Sequence, residues 1–193
     1  NKDSKIILRR VHINPTRIGF FNIIRKHNGK ISFKNKRMED NEIMADVHVK
    51  SSKIKNLKVK GKFFVSCQDE YSIMFAMAAL LPGTSTFSKI ADLSNKESPR
   101  AHEMKKILNQ IGIRCKLSKN EMKIYGDPNL SAHGKKIRAS GVLDHRILMS
   151  VSILSLLTGV KANLKNFEQV RSSCPNFLST ISSLGGKFEI KKN

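Results

Sequence analysis

The sequence predicts an α/β fold assembled from a repeated β-α-β-α-β-β unit, and three observations lead there. Three segments share one order of features: a short apolar strand, a polar loop with a proline, an amphipathic helix, a glycine and a second short strand. Between them lie two further stretches that match each other, each opening with an acid and then running almost wholly apolar, as helices buried on nearly all sides do. The chain's 193 residues are enough for one domain, or a truncated pair, with a substantial core.

The three like segments are residues 5–33, 85–117 and 161–190. Pro15, Pro99 and Pro175 fall where a first helical turn tolerates a missing N–H, and Gly29, Gly112 and Gly185 fall where a helix ends in a left-handed residue. In the middle copy Ser98 is the expected N-cap, and Ala101, Met104, Leu108 and Ile111 recur at three- and four-residue steps as one apolar stripe. The apolar stretches are residues 69–84, headed by Asp69, and 144–160, headed by Asp144. Strands at Ala45–Val49 and Lys136–Ala139 are expected to lead into them, giving repeat units of roughly 1–45, 46–126 and 127–193. The first unit is expected to be truncated, because no buried helix stands ahead of Lys5-Ile6-Ile7-Leu8.

Composition narrows the functional classes. With no uninterrupted apolar run of the ~18 residues a membrane helix needs, and with a polar opening Asn1-Lys2-Asp3-Ser4, a soluble cytoplasmic protein without membrane contact is expected. Cys67, Cys115 and Cys174 are widely spaced and read as reduced core thiols. None of the six histidines is spaced to share a metal from one helical face, so no metal is expected. The formal charge of +21 raises a basic nucleic-acid-binding module as an alternative. Lysines are scattered along almost every segment, however, and solvated lysine faces are the preferred reading.

Five strings then occur in a fixed order: Asn14-Pro-Thr-Arg-Ile-Gly19, Ala45-Asp-Val-His-Val-Lys-Ser-Ser52, Asp69-Glu-Tyr-Ser-Ile73, Asn95-Lys-Glu-Ser-Pro-Arg100 and Leu143-Asp-His-Arg-Ile-Leu-Met149. Together they resemble, across essentially the entire chain, the carboxy-terminal portion of the 5-enolpyruvylshikimate-3-phosphate (EPSP) synthases. That resemblance implies an inside-out α/β barrel domain of β-α-β-α-β-β repeats with helices inside. It also implies transfer of the enolpyruvyl group of phosphoenolpyruvate to the 5-hydroxyl of shikimate 3-phosphate, in aromatic amino-acid biosynthesis, without metal or organic cofactor.

Position by position, the resemblance implies that Asp69 handles the hydroxyl proton and that Lys96 and Glu97 shuttle protons, with Lys96 also touching phosphoenolpyruvate. It makes Arg100 and Arg146 the guanidiniums that grip phosphoenolpyruvate, with His145 beside the second. For Asp69 an N-cap role on the apolar helix stands beside the catalytic one. For Arg146 the alternatives are solvent or Asp144. The string departs from the family at Ser72, Ser94, Pro99 and Leu143, and Ser172 stands where many relatives have a lysine. Since the family binds shikimate 3-phosphate chiefly through an amino-terminal domain, the chain is expected to be incomplete and inactive alone. A separate amino-terminal-domain polypeptide is then a candidate partner, and a non-catalytic remnant is the other alternative.

Overall fold

The computed structural model describes residues 3–190, and its strands fall into three sheets. The first is antiparallel and ordered β1-β3-β2, from β1 (Lys5–His12), β2 (Lys30–Glu39) and β3 (Glu42–Lys50), with α1 (Gly19–Lys26) joining β1 to β2. The second is ordered β4-β5-β7-β6, from β4 (Lys58–Val59), β5 (Gly83–Ser88), β6 (Cys115–Leu117) and β7 (Glu121–Gly126). The helices α2 (Phe64–Cys67) and α3 (Tyr71–Ala79) connect its parallel pair β4 and β5, and α4 (Arg100–Gln110) connects β5 to β6. The third sheet pairs β8 (Lys136–Ala139) in parallel with β9 (Lys161–Leu164) through α5 (His145–Thr158), and α6 (Phe177–Ser183) follows.

The second sheet thus carries the whole expected unit. Parallel neighbours cannot be joined by a tight turn, so each apolar helix is the crossover that lets its two strands pair. The strand expected at Ala45–Val49 exists, but it is the centre of the first sheet, paired with both β1 and β2. The strand leading toward Asp69 is the two-residue β4, too short and too rich in lysine to show a period. Residues 187–190, read as a closing strand, form none.

Helix α3 lies at the centre, with seven of its nine residues buried. Val59, Phe87, Met122 and Ile124 from the second sheet, Ile137 and Ala139 from the third, and Met104 and Leu108 from α4 join it in one core. The stripe expected on α4 is the buried one, with Ile107 added. Helix α5 is only half enclosed, since Leu157 is 63% exposed while Leu148 and Val151 are fully buried. Cys67 and Cys115 are unpaired core thiols, and burial pushes both up to about 12. No helix among the described residues is long and apolar enough to cross a membrane.

The punctuation holds at two of three glycines. Gly112 and Gly185 have φ of +84° and +87°, but after α1 the left-handed residue is Asn28, at +72°. Gly29 serves closeness instead, because a Cβ there would stand 2.3 Å from the Ile24 side chain. Ser98 is not the cap of α4, whose N-cap residue is Pro99; its hydroxyl donates elsewhere.

The first sheet is tied to the second through a buried imidazole. His27 Nε2 accepts from the Lys58 N–H at 2.9 Å, so Nδ1 carries the proton and donates to the Ile23 carbonyl at 2.7 Å. The His27 carbonyl also accepts from the Lys55 N–H. Replacing His27 with Ala strands the Lys58 amide, while the Ile23 carbonyl keeps the backbone N–H of residue 27, and should lower unfolding free energy by about 1–3 kcal/mol in urea titrations. A change below about 0.5 kcal/mol would show that this tie carries no stability.

Candidate active site

Helices α3, α4 and α5 pack against one another, and the acids at or just ahead of their starts, Asp69, Glu97 and Asp144, meet around Arg100. At α5 the arrangement follows directly from local chemistry. Asp144 is its N-cap, and Oδ1 accepts from the Arg146 and Ile147 amides at 2.9 and 3.4 Å, where the helix field favours an anion.

The other oxygen of Asp144 accepts from Arg100 Nε at 2.8 Å and from the Ser98 hydroxyl at 3.1 Å. Arg100 is only 1% exposed and Asp144 is fully buried. A guanidinium in such a place must be answered by carboxylates. Its Nη1 lies 3.3 Å from Asp69 Oδ1, and its Nη2 pairs with Glu97, whose side chain is 54% exposed. Arg100 therefore joins three acids from three segments.

Asp69 gathers the remaining charges. Its Oδ2 lies 3.4 Å from Arg146 Nη2 and 3.5 Å from Arg17 Nη2, and its backbone carbonyl accepts from Arg146 Nη1 at 3.4 Å. Asp69 does not cap α3, whose N-cap residue is Glu70, without a side-chain bond. Burial pushes the Asp69 carboxyl up, but the guanidiniums of Arg146 and Arg100, with the Lys96 ammonium, more than offset it and hold it below the usual carboxylate value. Glu70 moves the other way. Burial and the neighbouring Asp69 charge raise it against the pull of Arg146 and Arg17.

Of the residues expected at the site, Asp69, Glu97, Arg100 and Arg146 are brought into one ion-paired cluster. Lys96 sits at its edge, its ammonium on the Gln68 carboxamide at 2.8 Å. Arg146 points neither to solvent alone nor to the Asp144 carboxylate, but to Asp69. His145 opens α5 half-buried, with Nε2 enclosed and without a protein partner among the described residues. Arg17 and Gln68 were not expected there. Arg17 lies within the first of the five ordered strings, which is its signal in the sequence; Gln68 is marked only by adjacency to Asp69.

The departures have distinct outcomes. Pro99 leaves Arg100 oriented by Asp144, Asp69 and Glu97 instead of by an acid directly before it. Ser72 is buried, its hydroxyl unpartnered among the described residues, and Leu143 is 59% exposed.

What this cluster can do chemically is hold an ionised carboxylate among guanidiniums, beside an ammonium and a half-exposed second carboxylate. Such a wall binds phosphate or carboxylate groups and offers a base to a nearby hydroxyl.

Two outcomes test the cluster. Arg100→Leu leaves Asp144 buried without its cation and should destabilise by about 3–5 kcal/mol, while a loss near zero would remove the buried pair from the account. Because the folded Asp69 lies below its usual value of about 3.9, its stabilisation is full above that pH and fades as pH falls through the lower folded value. Wild type should therefore be more stable than Asp69→Asn at pH 7, and the gap should shrink as pH falls below the usual carboxylate value. A gap independent of pH in that window would contradict the assignment.

The chain's relatives agree in kind. The family model for EPSP synthase (3-phosphoshikimate 1-carboxyvinyltransferase) matches residues 2–181. A 3-phosphoshikimate 1-carboxyvinyltransferase of Zymomonas mobilis is 31% identical over 189 residues, covering 97% of this chain and 42% of that protein. One from Legionella pneumophila is 31% identical over 187 residues, with the same shares. Among solved structures, an EPSP synthase from Acinetobacter baumannii superposes with a TM-score of 0.87 at 27% identity, over 100% of this chain and 44% of that one. The chain spans about 42% of the length of the curated relatives it matches.

Proposed function

The chain belongs to the EPSP synthase family, and from that premise we propose that it forms the carboxy-terminal domain and the phosphoenolpyruvate-side wall of a site that transfers enolpyruvyl to shikimate 3-phosphate. The observation that carries this reading is the meeting of Asp69, Glu97, Arg100 and Arg146, from three separated strings, in one ion-paired cluster with Lys96 at its edge.

In this reading Arg146 and Lys96 hold the anionic groups of phosphoenolpyruvate, and Arg100 acts as a third cation when Glu97 gives way. Asp69 takes the proton from the attacking 5-hydroxyl. Lys96 and Glu97 deliver a proton to the methylene carbon, the new carbon–oxygen bond forms, and the bond to phosphate then breaks as the methyl proton is returned. A carboxylate kept ionised by guanidiniums suits the first step, and a half-exposed acid beside an ammonium suits the second. His145, beside Arg146 at the start of α5, belongs to the same substrate-binding group in this reading.

Shikimate 3-phosphate is bound in this reading chiefly by an amino-terminal domain, and the working location is the cytoplasm. Catalysis of this type needs both walls closed over the substrates. Residues 1–193 by themselves should release little or no phosphate from phosphoenolpyruvate and shikimate 3-phosphate, and should do so when mixed with the amino-terminal domain of a relative. In that mixture Lys96→Met or Arg146→Leu should each lower kcat/KM by about 100-fold or more. An active mixture indifferent to both substitutions would sink the assignment.

A further inference from the structure

We infer that Gln68 is a positioning residue of the site: its carboxamide holds the Lys96 ammonium in place beside Asp69 without cancelling its charge. This rests on the reading of Lys96 as an anion-binding group.

The geometry is specific. Lys96 lies between a short 3-10 turn at Ala91–Asn95 and the start of α4, in a stretch with no strand partner to fix it. A lysine there loses rotamer entropy when ordered, so something must hold it. Its Nζ donates to Gln68 Oε1 at 2.8 Å, across 28 residues of sequence, and both side chains are partly buried. Gln68 is itself well anchored. It is the C-cap residue of α2, in helical conformation, immediately after the buried Cys67, whose thiol donates to the Phe63 carbonyl.

The identity of the partner matters. Each of Arg17, Arg100 and Arg146 is paired with a carboxylate, whereas Lys96 forms no salt bridge among the described residues. A carboxamide oxygen accepts a hydrogen bond as a carboxylate does but carries no net charge. Lys96 is thus the ordered cation of the cluster whose charge has no paired acid to displace. That its field reaches Asp69 agrees with the lowered Asp69 carboxyl. An incoming phosphate or carboxylate meets a cation already in position, which is the preorganisation that gives affinity.

Two substitutions separate holding from neutrality. Gln68→Leu removes the acceptor, and Gln68→Glu keeps it while adding a negative charge. The measurements are the Lys96 Hε–Cε cross-peak, assigned by Lys96→Arg, and titration with phosphoenolpyruvate and with inorganic phosphate, on folded variants checked by melting temperature. In Gln68→Leu the Lys96 cross-peak should collapse to that of a free lysine and phosphoenolpyruvate affinity should fall about tenfold. In Gln68→Glu the cross-peak should stay shifted while affinity falls by more. Combined with Lys96→Met, Gln68→Leu should cost no further affinity.

An unchanged Lys96 cross-peak in folded Gln68→Leu overturns the inference, as does a Gln68→Glu variant that binds phosphoenolpyruvate as wild type does. If wild type mixed with the amino-terminal domain of a relative binds neither anion but the cross-peak still collapses in Gln68→Leu, the holding role stands and the enolpyruvyl-transfer reading falls. A lowered melting temperature with the Lys96 signal untouched would leave Gln68 a purely structural residue and also overturn the inference.

Discussion

A guanidinium withdrawn from water is tolerable only if nearly all its donors are met by anions, and Arg100 imposes that condition on the chain. It is 1% exposed, and its three nitrogens reach Asp144, Asp69 and Glu97. Each acid belongs to a different segment, so satisfying one side chain fixes the starts of α3, α4 and α5 relative to one another. The Asp144 carboxylate does double service, capping α5 with one oxygen and receiving Arg100 and Ser98 with the other. Removing Arg100 or Asp144 leaves the other's buried charge without its nearest partner, which is why the two behave as one unit.

The fold makes this meeting possible. Parallel pairs β4–β5 and β8–β9 each need a helical crossover, and both helices are apolar enough to share the interior. Two crossovers of the same kind, packed together, present their entries at the same end. Charged side chains placed at those entries are therefore neighbours in space although 31 to 77 residues apart in sequence. The apolar core sets where the ions stand, and the ions in turn set which groups face solvent: the half-exposed Glu97, the partly exposed Arg146 and the Lys96 ammonium.

Much of this was legible in residue order. The repeated punctuation and the two apolar stretches marked the crossover helices, because burial on all sides leaves a plain compositional trace. The α4 stripe was legible for the same reason. Less legible were features decided by tertiary partners. Ser98 has the chemistry of a cap, but Asp144 competes for its hydroxyl. Gly29 looked like a left-handed terminus, yet Asn28 adopts that conformation and Gly29 is there for close approach to Ile24. The Ala45–Val49 strand exists, but it pairs with β1 and β2 instead of leading into α3, since alternation shows that a strand exists and not which strands it joins. At the site, the ordered strings named the acids and cations, but the inward turn of Arg100 and the place of Arg17 and Gln68 depend on side chains converging across the core.

The claim that Arg100 and its carboxylates form a single buried unit is tested most directly by a double-mutant cycle on Arg100 and Asp144, using Arg100→Leu, Asp144→Leu and the pair, with unfolding free energy as the readout. The account predicts strong non-additivity: the double variant should be more stable than the sum of the single losses implies, by about 1–3 kcal/mol. Additive losses, within about 0.5 kcal/mol, would contradict it.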